Sequence, residues 1–230
     1  MTRDEFCKLH WNYYMLLEKD FLLTERYVTF DLGDNNLYDG TQCQNPENSL
    51  LYSIEYIKQY QTICSEVDVL MKSICAEFGQ SGDDMCQYTS VILAQWEGIV
   101  NQKIRVNDEF EIIPFQNWSI HEYKSPDWWS PYNKVKHKRL DHAKDANLKN
   151  VINALGGLYI LNQYLVKYIA DRDNQGKDLD DDFVLDVPND VSKLFEMINW
   201  NTEDTVIGRN SYTMSKRDVE KIFQNGGSER

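Results

Sequence analysis

The spacing of apolar residues along the chain predicts a mainly α-helical protein. The clearest stripe, at three- and four-residue steps, lies in a predicted helix over about 47–78 and comprises Ile57, Tyr60, Cys64, Val67, Met71, Ile74 and Phe78. A second long stripe, over about 147–170, comprises Leu148, Val151, Ile152, Leu155, Tyr159, Asn162, Leu165 and Ile169. Because these two stripes are the longest, we expect the two helices to pack against each other as the core of a bundle.

Further helices are predicted from their start signals. Thr2 and Glu5 have capping-box spacing, which predicts a helix from about Arg3 to Val28. Another helix is predicted over about 84–102. Ser125-Pro126 is a typical N-cap and first-turn pair, and it predicts a short helix over about 127–140.

Glycine and proline set the expected ends and close contacts. Pro46 fits the first turn of the 47–78 helix, and Gly79 and Gly82 fit its end. Gly156-Gly157 lies in the middle of the last long helix, where glycine is unfavourable. The pair therefore predicts close backbone packing against a neighbouring helix, or a kink.

Extended segments are short and lie mostly near the carboxyl terminus. Phe110–Phe115 is a predicted strand whose Pro114 favours an edge position. Residues 193–214 predict a small antiparallel β-meander, and Ser215 begins a last short helix. We therefore expect a helical bundle domain over 1–190, with a small β appendage and terminal helix over 191–230 packed on it.

Composition places the chain among ordinary globular proteins. Hydrophobic residues make up 42% of its 230 residues and aromatic residues 13%. The five cysteines have no spacing typical of a disulfide framework or a zinc site, so all are expected to be reduced. No signal peptide and no apolar run of about 18 residues is visible, which predicts a cytoplasmic protein without a membrane span.

Charge is distributed unevenly. The formal net charge is −13, which disfavours general coating of nucleic acid. Residues 124–149 nevertheless carry seven Lys and Arg against three Asp, whereas residues 171–190 carry eight Asp against one Arg and one Lys. The segment 124–149 is therefore where an anionic ligand is expected to bind.

Common cofactor and nucleophile motifs are absent. The chain has no GxxxxGK[ST], GxGxxG, HExxH or GxSxG sequence. No cofactor and no metal site is therefore predicted.

Residues 128–142 contain the strongest candidate chemistry. On a helix, Asn133, His137 and Asp141 would share one face, with Lys136 and Arg139 beside it. An imidazole next to cations suits metal-independent RNA cleavage, in which His137 transfers a proton, Arg139 holds the phosphate and Asn133 orients the imidazole. Candidate binding residues in the same segment are Lys136, Lys138, His142, Trp128 and Trp129. An alternative interpretation is a tryptophan packing anchor followed by a solvated charged face.

The helical layout and the segment Tyr132–Arg139, which precedes a long apolar helix, resemble the HEPN superfamily over roughly residues 46–170. The resemblance implies a small helical bundle of a prokaryotic toxin–antitoxin or anti-phage system, in many members a metal-independent ribonuclease that acts as a homodimer. It also implies that Asp68 and Lys72, four residues apart on the 47–78 helix, assist the site.

The chain departs from the family's sequence pattern, which is Arg, four to six residues, then His. Arg139 and His142 are separated by only two residues. The pair with family spacing is Arg3 and His10, with six residues between them. This departure favours a degenerate, non-catalytic domain as readily as an active one.

Three functions are thus open. The first is an RNA-binding protein or ribonuclease, favoured by the basic segment with His137 and Arg139. The second is a non-catalytic helical module that binds another protein, for example as an accessory subunit, favoured by the acidic surface and the departure from family spacing. The third, an enzyme with a pocket of aromatic residues, has no recognisable acid–base pair. Whether His137 and Arg139 face a cleft, a dimer seam or bulk water distinguishes the first two.

Overall fold

The computed structural model describes residues 1–32, 48–177 and 182–200, and the backbone of residues 206–207 and 213–214. In this part the protein is mainly helical with a small antiparallel sheet, which confirms the predicted fold class. The α-helices are α1 (Arg3–Phe6), α2 (Asn12–Leu22), α3 (Ile54–Glu77), α4 (Met85–Gln95), α5 (Trp129–His142) and α6 (Leu148–Asn174). The strands are β1 (Ile104–Val106), β2 (Phe110–Ile112), β3 (Phe195–Met197), β4 (Val206–Ile207) and β5 (Thr213–Met214).

The centre of the molecule is the packing of α3 on α6, the most extensive contact between elements of the described chain. Their predicted stripes are buried, apart from Phe78, which is half-buried, and Tyr60, Cys64, Val67, Val151, Leu155 and Leu165 are fully inaccessible. Burial of each such side chain contributes about 1.5–3 kcal/mol to folding, so these two helices dominate the stabilisation of the core.

The first helical stretch has the predicted start but an unexpected turn. Thr2 Oγ accepts a hydrogen bond from the Glu5 amide at 3.2 Å, and the Glu5 carboxylate accepts one from the Thr2 amide at 2.8 Å. A π-helical turn, Cys7–Trp11, then separates α1 from α2. This wider turn shifts the phase of the helix, so Trp11 and Tyr14 enter the core and Tyr13 lies at the surface.

The predicted start of α3 near residue 47 is wrong. The helix begins after Ser53, whose side chain accepts a hydrogen bond from the Tyr56 amide at 3.0 Å. Pro46 lies outside the described residues. The end agrees with the prediction, since Gly79 follows the helix with φ +68°.

The helix predicted over 84–102 is shorter than expected. Asp84 caps α4, but the helix ends at Gln95 and a 3₁₀ turn, Glu97–Asn101, follows. The chain then enters β1, which the sequence pattern did not predict. Asn107 and Asp108, with φ values of 50° and 59°, make the tight turn from β1 to β2.

The sheet has the order β2–β1–β3, so β2 is an edge strand, as Pro114 predicted. The predicted meander over 193–214 is wrong in its pairing: β3 pairs with β1, in the register Arg105 to Glu196, and not with β4. The strands β4 and β5 pair with each other. The terminal helix predicted from Ser215 lies outside the described residues.

A buried carboxylate holds the segment before β3 against α2. Glu18, which is 1% exposed, accepts hydrogen bonds from the Tyr14 hydroxyl at 2.5 Å and the Lys193 amide at 2.8 Å, and another from the Ser192 hydroxyl. Burial, followed by the Glu18 charge, raises the pKa of Tyr14. Leu194 and Phe195 are buried beside this anchor, so these two residues belong to the same core as the bundle.

The glycine pair of α6 permits a close contact, as predicted, and the neighbours are β1 and the residues at the start of α5. A Cβ atom on Gly156 would lie 2.7 Å from Ile104 Cδ1, and one on Gly157 would lie 2.9 Å from Trp128 Cζ2. The pair therefore lets β1 and the start of α5 approach the backbone of α6, which continues without interruption to Asn174.

The thiols of Cys7, Cys64, Cys75 and Cys86 are free, in agreement with the prediction, and Cys43 lies outside the described residues. None of the helices in the described ranges combines the length and apolar character needed to cross a bilayer.

Candidate functional site

The start of α5 is fixed by two tryptophans that the bundle buries. Trp128 is 1% exposed and its Nε1 donates to the Pro114 carbonyl at 2.9 Å, while its own carbonyl accepts from the Tyr60 hydroxyl. Trp129, Tyr132 and Val135 continue the buried face. Trp128 and Trp129 thus position the helix through packing. The accessible part of Trp129 lines an adjoining cleft, and Trp128 lines a separate cavity together with Pro114 and Lys149.

The helical geometry is broken at Lys138, whose φ of −138° and ψ of 51° are not helical. Asn133 and His137 lie before the break and share a helical face. Arg139 and Asp141 lie after it, so the predicted common face of Asn133, His137 and Asp141 does not extend to Asp141.

The outer face of α5 and the turn after it are basic and open to solvent. We call this face the basic surface, and it consists of the exposed side chains of Lys134, Lys136, His137, Lys138, Arg139 and Lys144. None of them forms an ion pair with a carboxylate in the described part of the chain. Lys136 Nζ lies 5.6 Å from the centre of the Tyr132 ring, which is a cation–π contact.

His142 differs from His137 in its surroundings. Its Nδ1 lies 3.0 Å from Asp145 Oδ2, and both side chains are about one-third exposed. His137 has no such contact with a described residue, so no side chain within these ranges holds its imidazole in one orientation. His137 and Arg139 therefore face bulk water in the single chain.

Asp68 and Lys72 form an ion pair of their own on α3. Lys72 Nζ lies 3.0 Å from Asp68 Oδ2, and Tyr88 donates its hydroxyl hydrogen to Asp68 Oδ1 at 2.8 Å. Burial, and then the bond to Asp68, raises the pKa of Tyr88 above its ordinary range. Both oxygens of Asp68 are thus engaged within the bundle.

A cleft of about 460 Å³ brings four of the predicted residues together: Asp68 of α3, and Trp129, Asn133 and Lys136 of α5. His137, Arg139, Lys138 and His142 do not line it. Its other lining residues include Asp83, Asp84 and Tyr123, which were not predicted as site residues. The sequence identifies Asp84 as the residue that begins a helix, but it does not show that Asp84 lies near α5.

The Arg and His with family spacing both have structural partners. Arg3 donates to the Val187 carbonyl through Nε at 3.0 Å and through a terminal nitrogen at 2.7 Å. His10 is 5% exposed, and its Nδ1 lies 3.3 Å from Glu66 Oε1. This pair therefore stabilises the packing of the first helical stretch and offers no open surface to a substrate.

Metal-ligating groups do not converge anywhere in the described residues: no cluster of three His, Cys, Asp or Glu side chains there could hold an ion.

No protein-family model, no curated protein and no solved structure matches this chain.

Proposed function

We propose that this protein binds RNA through the basic surface of α5, as a HEPN-like protein of a prokaryotic defence or toxin–antitoxin system. The observation that carries the proposal is a local excess of positive charge: five exposed Lys and Arg side chains lie on α5 and the turn after it, among them one exposed carboxylate, Asp141. None of the five forms an ion pair with a described carboxylate. Such a surface on a protein of net charge −13 is the place where a phosphate backbone is attracted.

Cleavage of the bound RNA is the second step of the proposal. His137, open to solvent and close in sequence to Arg139 and Lys136, accepts the proton of the attacking 2′-hydroxyl as the bond from the 2′-oxygen to phosphorus forms, or donates a proton to the 5′-oxygen as its bond to phosphorus breaks, with solvent water serving for the other transfer. Arg139 holds the phosphate. No described side chain orients His137, so Asn133, four residues earlier on the same face, supplies the orientation when RNA is bound.

The alternative is a non-catalytic module that binds a protein partner through the same basic surface. The break at Lys138 favours this alternative, because it removes Asp141 from the face of His137. The position of Asp68 also favours the protein-binding alternative. Asp68 pairs with Lys72 and lines the cleft, which His137 does not line, so it is not placed to assist His137.

Binding is tested with a fluorescent single-stranded RNA and a salt titration. The double variant Lys136→Glu, Arg139→Glu is expected to weaken binding at least about tenfold and to reduce the salt slope by about 1.4, because two phosphate contacts are lost. The matched control Lys8→Glu, Lys193→Glu makes the same change in net charge at exposed sites elsewhere and should keep the wild-type affinity. Equal losses in both variants would contradict a localised RNA surface.

Cleavage is tested with total RNA in the presence of a metal chelator. His137→Ala is expected to abolish cleavage without changing thermal unfolding, since an exposed His contributes little packing. Full cleavage by this variant would remove the catalytic assignment. RNA binding by the wild-type protein without cleavage would leave a binding protein, and the absence of both would favour the protein-interaction module.

A further inference from the structure

The cleft between the start of α4 and α5 shares Lys136 with the basic surface and is otherwise separate from it. Its volume of about 460 Å³ lies within the range of small-ligand pockets, which is about 300–1,000 Å³. Met85 and Trp129, both buried, contribute apolar surface to the cleft, and Tyr123, which is 49% exposed, contributes an accessible ring. The cleft therefore offers apolar and aromatic surface to a flat ligand.

The polar groups on the α4 side of the cleft are hydrogen-bond acceptors. Asp83 and Asp84 are exposed and line the cleft. Asp84 accepts the Gln87 amide through Oδ1 at 2.9 Å, and the Asp83 carboxylate forms no hydrogen bond and no ion pair with a described residue. Asp68 is not available in the same way, because both its oxygens are engaged within the bundle. Asp83 thus presents two acceptor oxygens to a ligand.

The polar groups on the α5 side of the cleft are hydrogen-bond donors. The Lys136 ammonium group forms no ion pair there, and the half-buried side-chain amide of Asn133 forms no hydrogen bond with a described residue. Because Lys136 also belongs to the basic surface, a nucleotide whose phosphate lies on that surface can place its base in the cleft.

We propose that the cleft binds a guanine base of single-stranded RNA, an inference that rests on the proposed RNA-binding function. Guanine carries two adjacent donors, N1–H and the N2 amino group, and two adjacent acceptors, O6 and N7. The two oxygens of Asp83 accept from the donors, and Lys136 donates to O6 or N7. Tyr123 stacks on the base, as aromatic side chains do on unpaired bases of RNA.

The other three bases do not match this order of acceptors and donors. Adenine and cytosine place a ring-nitrogen acceptor beside their amino group, and a carboxylate repels that nitrogen. Uracil has one N–H donor between two carbonyl oxygens, so it cannot bind a carboxylate through two hydrogen bonds. A metal ion is a poor occupant, because Lys136 brings a positive charge to the same cleft. The cleft should therefore select guanine over the other bases by about tenfold or more.

Oligonucleotides that differ at one base test this selection. A short fluorescent oligouridine with one central guanosine should bind the wild-type protein about tenfold more tightly than the same RNA with adenosine there. Asp83→Asn should abolish this preference and bind the all-uridine RNA at least as tightly as the wild-type protein, because the substitution removes a negative charge. The matched control Glu122→Gln makes the same change of charge at an exposed residue outside the cleft and should keep the preference.

Protection of Cys86 tests the cleft without RNA. The Cys86 thiol is exposed and lines the cleft, so in a Cys43→Ser background 5′-GMP should slow its alkylation by iodoacetamide several-fold. 5′-UMP should not, and Asp83→Asn should remove the protection by 5′-GMP.

The outcomes separate the guanine site from the RNA-binding function. RNA binding without a guanine preference, or a preference that Asp83→Asn retains, would overturn the guanine site and leave the basic surface in place. Protection of Cys86 by 5′-GMP that depends on Asp83, in a protein that binds no RNA, would support the guanine site and contradict the RNA-binding function. The absence of both protection and RNA binding would overturn both.

Discussion

At the scale of single residues, the space available for a side chain explains a choice that helix propensity does not. Gly157 lies in a helix, where its intrinsic preference is poor, because Trp128 and Phe115 occupy the volume that a side chain would take. The unfavourable helix propensity of Gly157 is offset by close packing, because both the start of α5 and the segment after β2 contact the backbone of α6. This contact fixes where the basic surface begins.

Gly157→Val should destabilise the protein by about 2–3 kcal/mol, because its added carbons would meet the Trp128 and Phe115 rings, which have little freedom to move. Urea unfolding followed by circular dichroism measures the change. Gly98→Val is the control, since nothing lies within 4 Å of a Cβ at that position, and it should change stability much less. Equal effects of the two substitutions would argue against a tight contact.

At the scale of elements, the sequence predicts the long helices well and their ends less well. The stripes of α3 and α6 are buried as expected because the 3.6-residue period is a property of the helix itself. The predicted start of α3 is too early because proline is tolerated in the first turn of a helix but does not fix where the helix begins. Ser53 fixes the start, since its side chain accepts the hydrogen bond from the Tyr56 amide. The same local signals cannot show that β3 pairs with a strand about 90 residues earlier.

The candidate site was predictable only in part, for the same reason. The basic surface follows from composition and is present. The break at Lys138 and the cleft shared by Asp68 and Lys136 arise from packing between elements distant in sequence, which no spacing within α5 records.

Ser53→Ala should destabilise the protein by about 1 kcal/mol, because the Tyr56 amide loses its acceptor at the start of α3. Thermal or urea unfolding of the purified variant gives the value. Ser90→Ala, within α4 and exposed, is the comparison, and its effect should be close to zero because alanine favours a helix interior. A Ser53→Ala variant as stable as wild type would show that another group caps α3.

At the scale of the whole molecule, the core is rich in tyrosine hydroxyls that burial keeps protonated. Burial raises the pKa of Tyr132 and of Tyr164 to about 12, and it raises those of Tyr60 and Tyr159 further. A folded-state pKa above the unfolded value of 10 gives stability that is fully present below pH 10 and is lost as the pH rises towards the folded pKa.

The protein should therefore lose stability steeply above pH 10, by about 1.4 kcal/mol per pH unit for each tyrosine that stays protonated only in the folded state. Tyr164→Phe keeps the ring between Trp96 and Trp200 and should flatten the slope between pH 10 and pH 12. Tyr27→Phe, at a ring that is 86% exposed, should keep the wild-type slope. Urea midpoints across this pH range measure both, and a Tyr164→Phe slope equal to wild type would contradict the assignment.

The pairing of β3 with β1 has a consequence for synthesis on the ribosome. β1 and β2 form a local hairpin, but Arg105 and its partner Glu196 are 91 residues apart, with α5 and α6 between them. At about 5–20 residues per second, the far edge of β1 stays unpaired for roughly 5–20 s while those helices emerge. An open strand edge is a template for wrong pairing with other chains. Slower translation between residues 112 and 195 should therefore lower the soluble yield, while the same delay placed before residue 104, when β1 has not yet been made, should not.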